Sequence, residues 1–90
     1  MNCYKELQII NQLGLHARAA AKFVKTAARF SSEVIVQYKN HQANGKSIMG
    51  VMMLGISQGE HLALSITGTD CQEALDALAQ LIADKFGEAI

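Results

Sequence analysis

Asn11-Gln12-Leu13-Gly14-Leu15-His16-Ala17-Arg18-Ala19-Ala20 joins a strand-like segment to a helix-like one, and its reading decides the fold. Upstream, between Tyr4 and Ile10, Leu7 and Ile9 alternate with Gln8, which is the period of a strand. From Ala17 onward the chain is alanine-rich and free of proline, and reads as a helix to about Arg29. His16 therefore stands at a strand-to-helix junction. The first turn of a helix leaves backbone N–H groups without partners and carries partial positive charge, so it binds phosphate readily. Arg18 adds a fixed cation, and the backbone of Ala17 and Arg18 supplies the amides. Histidine is a competent nucleophile whose ordinary pKa of about 6.5 leaves much of it neutral near pH 7. The same residues also fit a plain helix-cap histidine, and by physics alone both readings stand.

Working outward, Ala20, Val24 and Ala27 fall on one face of the first helix, and the alanines let it lie close to a sheet. Glu33–Tyr38 is a strand by its β-branched and aromatic content, Lys39-Asn40 a tight turn, and His41–Ala43 a short partner strand closed by Asn44-Gly45. Ser47 is a good N-cap for a short helix over Ile48–Leu54, with Gly55 ending it. In that helix Val51 and Leu54 turn inward, while Met49 and Met52 share another face. Gln58-Gly59 makes the next turn, His61–Thr67 alternates as a fourth strand, and Gly68-Thr69-Asp70 opens a last helix with Ala74, Leu75, Leu78, Leu81 and Ile82 on one stripe. The order β-α-β-β-α-β-α predicts one α+β domain over residues 1–90, with three helices on one face of a four-stranded sheet.

Composition removes several function classes. Eight basic residues balance eight acidic ones, which denies the chain the basic excess of a nucleic-acid binder. No run approaches the roughly 20 apolar residues needed to cross a bilayer. The opening Met1-Asn2-Cys3-Tyr4-Lys5-Glu6 carries no secretory pattern, so a cytoplasmic protein is expected. Cys3 and Cys71 define no disulfide framework and read as small apolar residues. His16, His41 and His61 match no metal-ligand spacing, and no metal is expected. Gly45-Lys46-Ser47 lacks the first glycine of a nucleotide-binding loop, with Asn40 in its place, and Gly55-Ile56-Ser57-Gln58-Gly59 follows a helix where a nucleophile elbow must follow a strand.

Leu13-Gly14-Leu15-His16-Ala17-Arg18 with its alanine-rich helix, and Asn44-Gly45-Lys46-Ser47-Ile48-Met49-Gly50-Val51-Met52 downstream, together resemble the histidine-containing phosphocarrier protein HPr of the bacterial phosphotransferase system. The likeness runs from about residue 4 to residue 87. It implies an open-faced β-sandwich with an antiparallel sheet, and a protein that is a phosphorylated intermediate more than an enzyme. It implies that the δ nitrogen of His16 takes a phosphoryl group from Enzyme I and passes it to an Enzyme IIA-type acceptor, with Arg18 steadying the phosphate and no cofactor built in. Ser47 lies in a segment similar to the one an HPr serine kinase/phosphorylase modifies, and a second phosphate there would repel an anionic partner. Leu15, Ala19, Ala20, Ile48, Met49 and Met52 are the expected docking surface of a monomer, methionine being suited to surfaces that serve several partners. Family members commonly have proline after the arginine where this chain has Ala19, which restores an N–H and loosens the helix start. Two rivals share the pattern: a carrier of the nitrogen-related regulatory branch, and a regulatory partner that has lost phosphotransfer.

Overall fold

A computed structural model describes residues 1–90. The elements are β1 (Asn2–Gln8), α1 (Ala17–Ala27), β2 (Glu33–Tyr38), β3 (His41–Asn44), α2 (Ile48–Met53), β4 (His61–Thr67) and α3 (Cys71–Ala83), followed by a 3₁₀ turn at Lys85–Gly87. The strands form one antiparallel sheet in the order β1-β4-β2-β3, so β4 and β2 make its centre and β1 and β3 its edges. Leu7 pairs with Leu62 and Val34 with Ile66, which sets the inward residues of neighbouring strands side by side.

The central strands show why this register is fixed. Val34, Val36 and Tyr38 of β2 and Leu62, Leu64 and Ile66 of β4 are buried under the helices, and a one-residue slip would turn them all to water. Phe23 of α1 and Leu75, Leu78 and Ile82 of α3 complete the layer. Each large apolar side chain so buried contributes about 1.5–3 kcal/mol. Ala19, Ala20 and Ala27 bring α1 close to its neighbours, but the close approaches are to α2 and α3, not to the sheet.

Several boundaries differ from the sequence reading: β1 runs over Asn2–Gln8 in place of Tyr4–Ile10, β3 extends to Asn44, and α2 stops at Met53, one residue before Leu54. Helix α1 ends at Ala27, because Arg29 N–H bonds Thr26 O and Phe30 N–H bonds Ala27 O, and these three-residue steps tighten the chain out of the α-helix. After α3 the chain makes a further turn in which Phe86 is fully buried at φ +55°, and Lys22 Nζ bonds the Phe86 carbonyl at 2.7 Å. Gln12 N–H then bonds the backbone oxygen of Ile90 at 2.6 Å, so the last residues are laid along the loop that ends in His16.

At the opposite pole, Asp70 ties the start of α3 to the entry of β2. Its carboxylate accepts both backbone N–H groups and both hydroxyls of Ser31 and Ser32. The Ser32 hydroxyl above all, with the Ser31 amide next, pulls the Asp70 carboxyl from 3.8 down to about 2.

Candidate functional site

The His16 loop is shaped by a glycine and an asparagine. Gly14 sits at φ +68°, and a Cβ there would lie 2.6 Å from the Ile56 carbonyl oxygen, so both backbone sign and space demand glycine. Leu15 N–H bonds that same carbonyl at 3.0 Å, which fastens the loop to the segment leaving α2. Asn11 is fully buried and donates from Nδ2 to Gly14 O at 2.8 Å and to Glu88 Oε1 at 2.9 Å. Its Oδ1 is buried with no partner, a cost of about 1–3 kcal/mol that the two donated bonds offset.

His16 is the N-cap residue of α1 by position, with extended backbone, and its carbonyl accepts Ala20 N–H at 2.8 Å. Its side chain makes no capping bond. Instead Nε2 hydrogen-bonds Glu88 Oε2, while Nδ1 has no protein partner. The backbone N–H groups of Ala17, Arg18 and Ala19 likewise donate to nothing. No acidic residue occupies the first turn of α1, and Arg18 there is exposed and makes no ion pair. A helix start with unpaired donors on the exposed Ala17 and Arg18, an added cation and an unbonded ring nitrogen suits an anion attached to that nitrogen.

Glu88 is the functional candidate that sequence reasoning missed. Its side chain is 10% exposed, and burial pushes its carboxyl up. The Asn11 and His16 bonds and the His16 and Lys22 charges outweigh that, so the group is held below the usual carboxylate range. Glu88 lies past the last periodic residue and outside the resembling segment, and only the buried Phe86, unusual in a polar tail, hinted that the end is docked.

Of the expected docking surface, Ile48 and Met49 are exposed, at 44% and 62%. Leu15, Ala19 and Ala20 are not on it: they are 3%, 0% and 0% exposed, because they sit on the stripe of the loop and of α1 that faces the core. Met52 is partly buried against the core, one step round the helix from Val51. Met53, 78% exposed, takes its place, four residues from Met49, and Leu13 at 61% adds apolar surface from the His16 loop. Ser47 caps α2 as expected, its Oγ accepting Gly50 N–H at 3.1 Å. Lys46 beside it is engaged, its Nζ on the Phe30 carbonyl at 2.7 Å.

Comparison with known proteins bears on this geometry. The family model described as the PTS HPr component phosphorylation site matches residues 3–84. The phosphocarrier protein HPr of Neisseria meningitidis is 50% identical over 84 residues, covering 93% of this chain and 94% of that protein. The phosphocarrier protein HPr of Pseudomonas aeruginosa is 50% identical over 92% of this chain and 93% of its own length. Among solved structures, HPr-C-His from Thermoanaerobacter tengcongensis superposes with a TM-score of 0.94 at 50% identity, covering 98% of this chain and 99% of that one. These relatives carry phosphocarrier names, which favours phosphotransfer over the two rival readings. The chain belongs to the HPr family and is a phosphocarrier of the phosphotransferase system.

Proposed function

We propose that His16 Nδ1 is the atom that carries the phosphoryl group, received from Enzyme I and passed to an Enzyme IIA-type acceptor in the cytoplasm. The observation that carries this reading is the uncapped start of α1, where the exposed Ala17 and Arg18 leave their N–H groups unpaired and the adjoining His16 ring keeps one nitrogen without a partner. The Nδ1 lone pair attacks phosphorus, the donor's own bond to phosphorus breaks with its electron pair, and the new dianion rests against the amides and the Arg18 guanidinium. A helix start contributes about 0.3–1 kcal/mol to an exposed anion, enough to steady the group and too little to trap it.

Docking of donor and acceptors is assigned to the exposed apolar surface of Leu13, Ile48, Met49 and Met53, which the Leu15–Ile56 bond holds next to the His16 loop. Ser47 is assigned a regulatory role under an HPr serine kinase/phosphorylase: a phosphate on its Oγ adds about −1.5 to −2 charges beside that surface and repels a phosphorylated partner.

Incubation with Enzyme I and phosphoenolpyruvate, read by intact mass, tests the carrier residue. One acid-labile phosphate on the parent and none on His16→Ala is expected. An unphosphorylated parent, with the same Enzyme I active on another carrier, would overturn the assignment.

A further inference from the structure

We propose that Glu88 is a positioning residue for phosphotransfer: its carboxylate holds the proton on His16 Nε2, leaving Nδ1 as the nucleophile and keeping the phosphorylated ring a competent donor. This inference rests on the assignment of His16 as the carrier residue. The geometry that carries it is a carboxylate anchored from several directions. Oε2 takes His16 Nε2, Oε1 takes the Nδ2 of the fully buried Asn11, and the tail that bears Glu88 is itself fixed by buried Phe86, by Lys22 on the Phe86 carbonyl and by Gln12 on the backbone oxygen of Ile90.

The chemistry follows from which nitrogen holds the proton. In neutral imidazole one ring nitrogen donates and the other accepts, and the partner of the first decides the tautomer. A carboxylate on Nε2 demands an N–H there, so the lone pair is on Nδ1, at the open start of α1. When Nδ1 bonds phosphorus, no proton has to leave. The Nε2–H stays, the ring becomes a phosphorylated imidazolium, and its positive charge is met by the Glu88 carboxylate, as a buried carboxylate stabilises the imidazolium in a catalytic triad. In the second transfer the N–P bond breaks with its electron pair returning to Nδ1, and neutral imidazole is regenerated. If Nε2 lost its proton before transfer, the leaving group would be an imidazolate, a far poorer one. Glu88 thus widens the pH range over which the carrier donates. Lys22 of α1 brings its charge to bear on Glu88 and is held on the Phe86 carbonyl, and Arg18 follows His16 by two residues; neither can accept a proton from the ring.

Glu88→Gln keeps the shape and removes the charge, and a chain ending at Gly87 removes the group outright. The test measures, against pH, the rate at which each phosphorylated protein donates to an Enzyme IIA-type acceptor, with ring ¹⁵N shifts of His16 recorded on the unphosphorylated proteins. The parent is expected to carry its ring proton on Nε2 and to donate to higher pH. Both variants should take phosphate on His16 yet show the alkaline midpoint of donation lowered by about one pH unit, a tenfold loss of ring proton affinity. Superimposable pH profiles for parent and both variants would overturn the proposal, as would a parent ring protonated on Nδ1. Absence of phosphate on the parent His16 would sink the carrier assignment instead, and the ¹⁵N shifts would still report whether Glu88 fixes the tautomer.

Discussion

Helices α1 and α2 begin in opposite ways. At α2, Ser47 folds its hydroxyl back onto Gly50 N–H, and the helix start is closed by its own cap. At α1, His16 occupies the same position and gives nothing back; its ring is turned to Glu88, and the first three amides stay unpaired. A six-residue helix such as α2 nucleates poorly and benefits from its cap, whereas the 11 residues of α1, with Phe23, Ala20 and Ala27 buried, are held by packing and tolerate an open end. Capping stabilises a helix, and leaving the cap off keeps donors available for an anion that arrives later. The protein closes the start that must hold itself and leaves open the start to which the proposed phosphate site is assigned.

The comparison breaks first at Gly14. Gly14→Ala forces an L side chain to φ +68° and sets its Cβ 2.6 Å from the Ile56 carbonyl, so the loop that aims His16 has to move. A loss of about 2–4 kcal/mol in denaturant unfolding is expected, together with slower phosphorylation, since strain and a backbone clash add. A variant with parental stability and rate would mean that the loop is not held against the exit of α2. At the closed start the effect is smaller. Ser47→Ala removes a cap and should cost about 1 kcal/mol, and Ser47→Gly only a few tenths. His16 phosphorylation by Enzyme I should be unchanged in both, and equal stability of the two variants would show that the Gly50 bond adds nothing.

How much of this was legible in the sequence follows the physics of each element. The strands, the N-cap at Ser47 and the buried stripe of α3 were readable, because hydrophobic period and cap chemistry are local signals. The placement of His16 at the start of α1 was readable for the same reason. Which apolar side chains of α2 lie exposed was only half readable: a helix of six residues is too short for its period to separate Met52 from Met53, and α1 packs against one side of it. Glu88 was not readable at all. Its partners, Asn11 and His16, lie 77 and 72 residues away, and no periodicity marks a carboxylate that works across the whole length of the chain.

The smallest expected effect concerns Ala19, where family members commonly carry proline. Its N–H is one of the three unpaired donors at the open start, so proline there breaks no hydrogen bond, and the first turn of a helix accepts the ring. The substitution reduces the freedom of the unfolded chain and should raise stability by about 0.4–1 kcal/mol in urea unfolding. The gain is limited because Ala19 is fully buried and a proline ring must find room, and because Arg18 before it is pressed away from helical backbone angles. If Ala19→Pro stabilises the free protein but slows phosphorylation, the third amide, covered in the free protein, is uncovered and used as a phosphate donor. If it stabilises and leaves the rate alone, the amides of Ala17 and Arg18 suffice, and the open start of α1 is wider than the anion requires.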